Sequence, residues 1–252
     1  MEITVATWNI GGAKPLRDIN ILTYKGEDYL EEDSRYFASQ LEKLNPDIIC
    51  LQETHIGVGK SIAKEIGEMI GGYHVSEVAV SESHIDKRYR LGNAILSKIK
   101  VVGENFRLFP YPNFPLARRD GEVTVRHDKG CQVLNLELGN VANLHMQPLA
   151  FLGTRYDSPN GLSYAAEVED VLERNLISPL LLCGDFNYIK AGDLYSKLLS
   201  KLSLVSVLPD EPTRPDNKKT DYIFVSPEFT LIESGIIQTN SDHYLCWAKL
   251  RI

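Results

Sequence analysis

The sequence predicts an α/β protein in which two β-sheets pack face to face and helices cover their outer faces. Short apolar segments alternate with amphipathic helical segments along all 252 residues, and this pattern is typical of layered sheets and helices. Hydrophobic residues make up 43% of the chain and charged residues 24%, which is enough apolar material to close a large core. Because no repeat, low-complexity tract or linker-like change in composition divides the chain, we expect a single domain over residues 1–252.

Each element is predicted from its periodicity and from the residues that end it. The segment Ile3–Ile10 is short and rich in β-branched residues, which suits a buried strand. The segment Ser34–Leu44 carries its apolar residues on one helical face, and Pro46 ends this helix because the residue before a proline avoids helical geometry. Apolar residues between Ile62 and Ile70 mark a second helix, which Gly71 closes.

The remaining elements follow from the same reasoning. The other predicted strands are Asp47–Gln52, Arg90–Ser97, Lys100–Phe106, Gly121–Arg126, Cys131–Glu137, Val141–Met146, Leu180–Cys183, Asp221–Val225, Leu231–Ile237 and Tyr244–Leu250. The other predicted helices are Tyr164–Leu176 and Asp193–Leu202, and the predicted long loops are Phe109–Pro115 and Pro209–Lys219.

Composition and the N-terminus argue against several classes of protein. The chain has 27 basic and 34 acidic residues, a net charge of −7, which disfavours a nonspecific nucleic-acid binder held by charge alone. A local basic groove or a metal-bridged phosphate stays compatible with that charge. No apolar run reaches the roughly 20 residues that span a bilayer, and residues 1–10 lack the pattern of a secretory signal. Cys50, Cys131, Cys183 and Cys246 have no metal-binding spacing, so we expect reduced core thiols in a cytoplasmic protein.

Polar residues cluster where predicted strands begin or end. Ligands of α/β sheets bind outside the strand ends, so side chains at several ends can share one site. Taken singly, each residue also fits a turn, a cap or a buried histidine. Taken together, carboxylates, amides and histidines next to apolar strands favour a functional site. The residues are Asn9, Glu53, His145, Asp185, Asn187, Asp221, Asp242 and His243.

Six short motifs carry these residues in a fixed order. They read T-W-N-I, L-Q-E-T, N-L-H, G-D-F-N, D-Y-I-F-V-S and S-D-H between residues 7 and 243, and G-N-A-I-L-S at Gly92–Ser97 joins them. In this order they resemble the endonuclease/exonuclease/phosphatase superfamily, which includes pancreatic-type deoxyribonucleases, apurinic endonucleases, neutral sphingomyelinases and inositol polyphosphate 5-phosphatases. The resemblance implies a four-layer α/β sandwich of two packed, mostly antiparallel β-sheets flanked by helices. It also implies a divalent-metal-dependent phosphoester hydrolase.

The resemblance implies a metal site built from oxygen ligands. Magnesium, or manganese in its place, prefers hard oxygen ligands and keeps several waters, so one or two carboxylates suffice. Glu53 is the leading candidate ligand, and Asn9 and Asp242 would lie close to the metal or its waters. Asn9 is also a candidate substrate-binding residue.

The resemblance further implies the catalytic groups. Asp185 would orient or deprotonate the attacking water, and Asn187 would position phosphate or water. His243 would donate to a phosphoryl oxygen, with Asp221 holding its imidazole in the charged form, and His145 would be a second phosphate donor. Whether Asp185 or a histidine is the general base stays open. Neutralising phosphoryl charge is the main demand of phosphoester hydrolysis, and this set of groups meets it.

The motifs are shared by nucleases, lipid phosphodiesterases and phosphomonoesterases, so they do not select a substrate. We expect a nucleic-acid phosphodiester because Phe109, Tyr111 and Phe114 interleave with arginines, and aromatic rings stack on exposed bases. Arg118 and Arg119 are the candidate substrate-binding residues of this loop. The same aromatics equally fit a proline-rich loop pinned to the core, and a second basic loop at residues 214–219 fits either a rim for polyanions or a solvated surface. A phosphomonoester, a lipid phosphodiester and a noncatalytic phosphate-binding module stay open as alternatives, and no obligate protein partner is evident.

Overall fold

Two β-sheets lie face to face between two layers of helices in a computed structural model, which describes residues 1–18, 28–116 and 126–252. In chain order the elements are β1 (Glu2–Asn9), α1 (Ser34–Leu44), β2 (Ile48–Gly57), β3 (Lys60–Ser61), α2 (Ile62–Ile70), β4 (His74–Glu82), β5 (Arg90–Ser97), β6 (Val101–Leu108), β7 (Gly130–Leu136), β8 (Gly139–His145), α3 (Pro159–Asn175), β9 (Leu180–Asp185), α4 (Ala191–Leu194), α5 (Ser196–Lys201), β10 (Val205–Ser206), β11 (Asp221–Val225), β12 (Thr230–Ile237) and β13 (Leu245–Arg251). Within the described ranges, no helix is both long enough and apolar enough to cross a membrane.

The two sheets have the same pattern of antiparallel and parallel strand pairs. The first runs β12-β13-β1-β2-β5-β4, with the short β3 beside β2, and the second runs β10-β11-β9-β8-β7-β6. Each sheet contains a parallel pair near its centre, β1 with β2 and β8 with β9. The other described pairs are antiparallel. The expectation of two packed, mostly antiparallel sheets is therefore confirmed.

The central strands are apolar on both faces because both faces are buried. In β1, Val5 points into the core between the sheets, whereas Trp8 points toward α1 and α2. The ring of Trp8 lies 4.6 Å from the ring of Phe37 in α1. On the far side of the second sheet, Leu172 of α3 and Leu182 of β9 belong to a third apolar cluster. Three apolar layers thus join four layers of secondary structure, and polar side chains gather where the strands end.

Buried amides tie the two sheets together beneath those strand ends. Asn143 on β8 donates to the carbonyl oxygens of Leu51 at 2.8 Å and Ala94 at 2.9 Å, both in the opposite sheet. Its own side-chain oxygen accepts from Gln52 at 2.7 Å, and its carbonyl accepts from Asn93 at 3.2 Å. Because a buried amide without a partner is costly, these hydrogen bonds favour one spacing of the two sheets, although Oε1 of Gln52 has no partner among the described residues. The four hydrogen bonds connect the two sheets next to the strand ends that carry the site.

The structure adds three strands, the two-residue β3 and β10 and the longer β4, and changes the bounds of two helices relative to the sequence prediction. Strand β4 was not predicted, because its small and charged residues lack an apolar run and it forms the edge of its sheet. Helix α3 begins at Pro159 rather than Tyr164, since Ser158 caps it and proline fits a first helical turn. The predicted helix at residues 193–202 is split into α4 and α5 at Tyr195, whose backbone is not helical.

Two further expectations concern thiols and residues 121–126. All four cysteines are free and buried, so the prediction of core thiols is confirmed. The strand predicted at residues 121–126 lies outside the described residues apart from Arg126, which is not in a strand.

Candidate active site

The structure gathers the candidate residues at one end of the sandwich, where the central strands stop. Asn9 ends β1, His145 ends β8 and Asp185 ends β9. Because β8 and β9 run parallel, His145 and Asp185 are paired in register. The antiparallel strand β11 starts at Asp221, which is also paired with Asp185, and His243 lies two residues before the start of β13. Strand register therefore brings residues that are far apart in sequence into one cluster.

Asp185 lies at the centre of this cluster. One carboxylate oxygen accepts from the backbone N–H of Asn187 at 2.8 Å, and the other accepts from the side-chain amides of Asn187 and Asn9, each at 3.2 Å. That second oxygen also lies 3.6 Å from Nε2 of His145 and 3.6 Å from Nε2 of His243. Burial raises the pKa of Asp185 to about 6, although His243 acts in the opposite direction. The carboxylate is thus held in a fixed position and can accept a proton near neutral pH.

His243 is held by Asp221. Its Nδ1 lies 3.0 and 2.9 Å from the two carboxylate oxygens, and Asp221 also accepts from the hydroxyls of Thr213 at 2.6 Å and Thr220 at 3.1 Å. The indole N–H of Trp8 donates to the carbonyl of His243 at 2.9 Å and fixes the backbone. Burial lowers the pKa of His243, but Asp221 outweighs it and the pKa rises to about 9. The pair favours a charged imidazole at neutral pH.

Glu53 projects into the cluster from a break in β2. It is the extra residue of a β-bulge between Gln52 and Thr54, and its φ of 55° is left-handed. A bulge re-aims a side chain, and a non-glycine residue in this conformation is strained. The Glu53 carboxylate lies 3.7 Å from Nε2 of His145 and 3.9 Å from Nζ of Lys129.

The field around Glu53 keeps its carboxylate ionised. Burial raises the pKa of this carboxyl, but the electrostatic effect of neighbouring basic side chains outweighs burial and lowers it to about 2. These side chains are His84, Lys129, His145 and His243, and each histidine contributes only in its protonated form. The Glu53 side chain is 13% exposed, and among the described residues no donor lies within hydrogen-bond distance of its carboxylate. A largely desolvated anion without a hydrogen-bond donor favours a cation as its partner.

The donor set around Glu53 fits a hard divalent cation. Glu53 offers an ionised carboxylate, the kind of oxygen ligand that magnesium and manganese prefer, and Asn9 and Asp242 offer further oxygen atoms at the same end of the sandwich. Asp185, Asp221 and His243 also offer ligand atoms within 4.8 Å of one another. However, Asp221 faces His243 with both oxygens and accepts from two threonines, so this second group is a hydrogen-bonded network. Glu53 therefore remains the better candidate ligand.

Lys129 is a buried cation beside His145. Its Nζ lies 3.1 Å from both ring nitrogens of His145. Burial lowers the pKa of Lys129, while Glu53 and Asp185 oppose that effect. Burial and Lys129 together lower the pKa of His145 well below its ordinary value, so the imidazole is neutral at neutral pH. His145 and His243, on either side of Asp185, thus differ in charge.

Arg214 stands on the other side of Asp185, against His243. Its Nη1 lies 2.7 Å from Nε2 of His243, and its Nε donates to Asp216 at 3.2 Å. A neutral His243 that donates from Nδ1 to Asp221 accepts this N–H at Nε2. A charged His243 presents an N–H at the same place, so it forms no hydrogen bond with Arg214, and the two groups repel each other unless an anion accepts from both. Burial lowers the pKa of Arg214, but Asp242 and other carboxylates outweigh it and keep the guanidinium charged.

Asp242 faces the same side as Glu53. Its Oδ2 accepts from the hydroxyl of Tyr29 at 3.0 Å. Burial raises the pKa of Tyr29, and the charges of Asp242 and Glu53 add to that effect, so both carboxylates act on one phenol. The positive φ of Gly11, 49°, lets the chain turn after β1, and a Cβ there would lie 3.5 Å from Oδ1 of Asp242. Asp242 is therefore at the edge of the cluster beside the end of β1.

The structure brings together eight of the ten candidate residues and adds two that the sequence did not single out. Arg118 and Arg119 lie outside the described residues. Lys129 and Arg214 were not candidates, because neither belongs to a motif and only the fold brings them against the histidines. Their sequence signal is basic charge, because Arg214 begins the basic loop at residues 214–219 and Lys129 lies near Arg118 and Arg119 in the sequence.

The aromatic loop packs largely on the core within the residues that are described. Phe109 is 5% exposed and belongs to the cluster between the second sheet and α3, and Phe114 packs against the same cluster. The guanidinium of Arg126 lies 4.7 Å from the ring centre of Tyr111. Two of the three aromatic rings thus anchor the loop to the core, as expected if they have a structural role.

Comparison with known proteins gives this architecture a family. A model of the endonuclease/exonuclease/phosphatase family matches residues 6–243. A DNA-(apurinic or apyrimidinic site) endonuclease of Dictyostelium discoideum is 24% identical over 189 residues, which are 74% of this chain and 42% of that protein. The chain therefore spans less than half the length of this curated relative.

Solved structures share the fold at low sequence identity. An endonuclease/exonuclease/phosphatase from Beutenbergia cavernae superposes with a TM-score of 0.75 at 17% identity, and the match covers 100% of this chain and 72% of the Beutenbergia chain. A mannosyl-6-phosphatase from Bacteroides thetaiotaomicron gives a TM-score of 0.65 at 20% identity, and the match covers 99% of this chain and 100% of the phosphatase chain. Members of the family are hydrolases of phosphoesters that generally use divalent metals. With its sheet order, its strand-end cluster and the match over residues 6–243, this chain belongs to the endonuclease/exonuclease/phosphatase family.

Proposed function

We propose that this chain hydrolyses phosphoesters with magnesium or manganese bound at Glu53. The observation that carries the proposal is the buried Asp185, which lies 3.6 Å from two histidines and has a pKa raised to about 6 by burial. An enzyme that attacks phosphorus with water needs a base near neutral pH and donors for the phosphoryl oxygens. The cluster offers both kinds of group within a few ångströms.

Asp185 is proposed as the general base. Asn9 and Asn187 donate to its carboxylate and fix its orientation, so it can accept a proton from a water aimed at phosphorus. Its raised pKa makes it a stronger base than an ordinary aspartate, while it remains mostly ionised at neutral pH.

The two histidines are proposed to bind phosphoryl oxygens from opposite sides. Charged His243, paired with Asp221, donates from Nε2 as negative charge builds up on the phosphoryl group. His145 is neutral and donates one ring proton, while Lys129 supplies fixed positive charge beside it. When bound, the metal would be held by Glu53, with Asn9 and Asp242 near its waters, and would neutralise phosphoryl charge.

We propose a nucleic-acid phosphodiester as the substrate. The proposal is supported by the curated relative, which is named as an apurinic or apyrimidinic endonuclease and aligns over 74% of this chain. A phosphomonoester is the second candidate, since fixed cations lie beside both histidines and suit a more highly charged phosphate. A cytoplasmic location belongs to the same proposal and is supported by the four free, buried thiols.

A substrate panel decides between these candidates. Labelled single-stranded, duplex and abasic oligonucleotides are incubated beside inositol phosphates and sphingomyelin at one magnesium concentration. We expect cleavage of at least one oligonucleotide, with a rate that falls as salt rises, because phosphate contacts are screened. Turnover restricted to phosphomonoesters and indifferent to salt would contradict the nucleic-acid proposal.

Glu53→Gln is expected to raise the magnesium concentration needed for half-maximal activity at least about tenfold, because it removes the ionised ligand of a hard cation. The measurement is activity against magnesium concentration, with direct metal binding by calorimetry as a second readout. The matched control is Glu137→Gln, an exposed glutamate paired with Lys100. An unchanged half-saturation point in a folded Glu53→Gln protein would show that Glu53 is not a ligand.

A further inference from the structure

Arg214 is a charged side chain of the cluster that the reaction described above does not use. It follows Thr213, whose hydroxyl holds Asp221, so the segment that fixes the Asp221–His243 pair also fixes the start of the arginine. At the other end of the side chain, Nη1 lies 2.7 Å from Nε2 of His243. The guanidinium therefore reaches the same imidazole nitrogen that is proposed to meet the phosphoryl group.

The guanidinium has donors that the protein does not satisfy. Arginine carries five N–H groups in a planar fork. Asp216 accepts the N–H of Nε at 3.2 Å, and Nη1 is turned toward His243. Among the described residues, no acceptor lies within hydrogen-bond distance of Nη2. The side chain is 20% exposed, so these donors are open to a solute that enters the site.

The neighbouring carboxylates do not complete this fork. Asp185 and Asp221 already accept hydrogen bonds from other groups, and Asp242 accepts from Tyr29. They keep the guanidinium charged without binding it directly. The direct carboxylate contact is Asp216, which Lys218 holds in turn at 2.6 Å. Asp216 therefore orients the guanidinium of Arg214 through Nε, and the Nη1 end of the guanidinium faces His243.

The opposite side of Asp185 has a matching arrangement. There Lys129 lies 3.1 Å from His145, as Arg214 lies 2.7 Å from His243. Each histidine lies 3.6 Å from the same oxygen of Asp185. Each histidine that is proposed to meet the phosphoryl group therefore has a cationic side chain beside it, and a phosphate that binds between the histidines would meet positive charge on both sides.

We propose that Arg214 is a substrate-binding residue whose guanidinium takes an unesterified oxygen of the scissile phosphate beside His243. This inference rests on the proposed function and adds to it the group that recognises the phosphate. A planar fork suits a phosphate that offers two free oxygens. A terminal phosphate has one more unesterified oxygen than a diester, so Arg214 contributes more to a monoester than to a diester.

The test compares Arg214→Gln and Arg214→Lys with the wild-type protein. Binding of inorganic phosphate is measured by calorimetry in the presence of a chelator, so that the result does not depend on a metal or on turnover. We expect Arg214→Gln to weaken phosphate binding about 10- to 100-fold, the range of a charged hydrogen bond. Arg214→Lys keeps the charge without the fork and is expected to lose less. The control is Arg174→Gln, which removes an exposed arginine of α3.

The kinetic arm uses p-nitrophenyl phosphate and bis-p-nitrophenyl phosphate. The value of kcat/KM is expected to fall in Arg214→Gln for both, and further for the monoester. Asp216→Asn, which frees Nε, is expected to act in the same direction with a smaller loss. Wild-type phosphate affinity and wild-type kcat/KM in a folded Arg214→Gln protein would overturn the proposal.

Two outcomes separate this proposal from the proposed function. If the wild-type protein binds phosphate but hydrolyses neither compound, the proposed function fails and the binding arm alone decides the role of Arg214. If the wild-type protein does not bind phosphate at millimolar concentration, the assignment of Arg214 is overturned. Should Arg214→Gln fail to fold, Arg214→Lys decides: wild-type affinity with an unchanged monoester-to-diester ratio would contradict recognition by the fork.

Discussion

Asp185→Asn is expected to lower turnover at least about 100-fold, the usual size of a general acid–base contribution. The amide keeps the shape of the side chain but cannot accept the proton of the attacking water. In the wild-type protein, the pKa of Asp185, raised by burial to about 6, requires that kcat/KM rise with pH up to about that value. The value of kcat/KM rises with pH, rather than falls, because the ionised carboxylate is the active form. In the Asp185→Asn variant, kcat/KM is expected to lose this dependence on pH below about 6.

The measurement is steady-state turnover at saturating magnesium across the pH range, with circular dichroism to establish the fold. Asp170→Asn, an exposed aspartate on α3, is the matched control and is expected to keep wild-type turnover. Turnover near the wild-type value in folded Asp185→Asn would remove Asp185 from the role of base. The base would then have to be sought at His145, which is neutral and lies 3.6 Å away.

His243→Ala is also expected to lower turnover at least about 100-fold, the size of one lost donor to a developing oxyanion. The imidazole is the donor that Asp221 holds charged, with a pKa raised to about 9 after burial is overcome. Above that pH His243 loses its proton, so wild-type activity is expected to fall as pH rises through about 9. Asp221→Asn should move this alkaline limb to lower pH, because it removes the charge that raises the pKa of His243.

The readout for this pair is the pH profile of kcat/KM, which a purely structural role would not shift. The backbone of His243 stays anchored in the alanine variant, since the Trp8 indole donates to its carbonyl and not to the ring. Wild-type turnover in a folded His243→Ala protein would contradict the proposed role of His243 as a charged donor. The same role would be contradicted if kcat/KM fell at the same alkaline pH in Asp221→Asn as in the wild-type protein.

The layers of the fold were predictable because the central strands are buried on both faces. The segments 48–51 and 180–183 are apolar at successive positions, and this pattern identifies them as buried strands without any alignment. Strand β4 escaped prediction because an edge strand needs only one apolar face, and its sequence H-V-S-E-V-A-V-S-E alternates weakly. The backbone of Tyr195 is not helical and separates α4 from α5. The spacing of apolar residues in the sequence does not indicate such a break.

Part of the candidate site was predictable for a different reason. Asn9, His145 and Asp185 end apolar strands, and strand ends meet at one side of a sandwich, so their proximity follows from topology. The bulge that turns Glu53 inward depends on the pairing of β2 with β5, and no local sequence pattern predicts it. Arg214 reaches His243 across 29 positions of the chain, and only tertiary contacts create such a pair.

The central claim is that this chain hydrolyses phosphoesters with a divalent metal and the Asp185 cluster. The most direct test is the release of p-nitrophenol from bis-p-nitrophenyl phosphate and p-nitrophenyl phosphate by the wild-type protein. The assay is run with magnesium, with magnesium plus excess chelator, and with the Asp185→Asn and Glu53→Gln variants. We predict release that requires the metal, stops with chelator, is lost in Asp185→Asn and needs more magnesium in Glu53→Gln. Release that persists in chelator and in Asp185→Asn, or no release from either compound with magnesium or manganese, would contradict the claim.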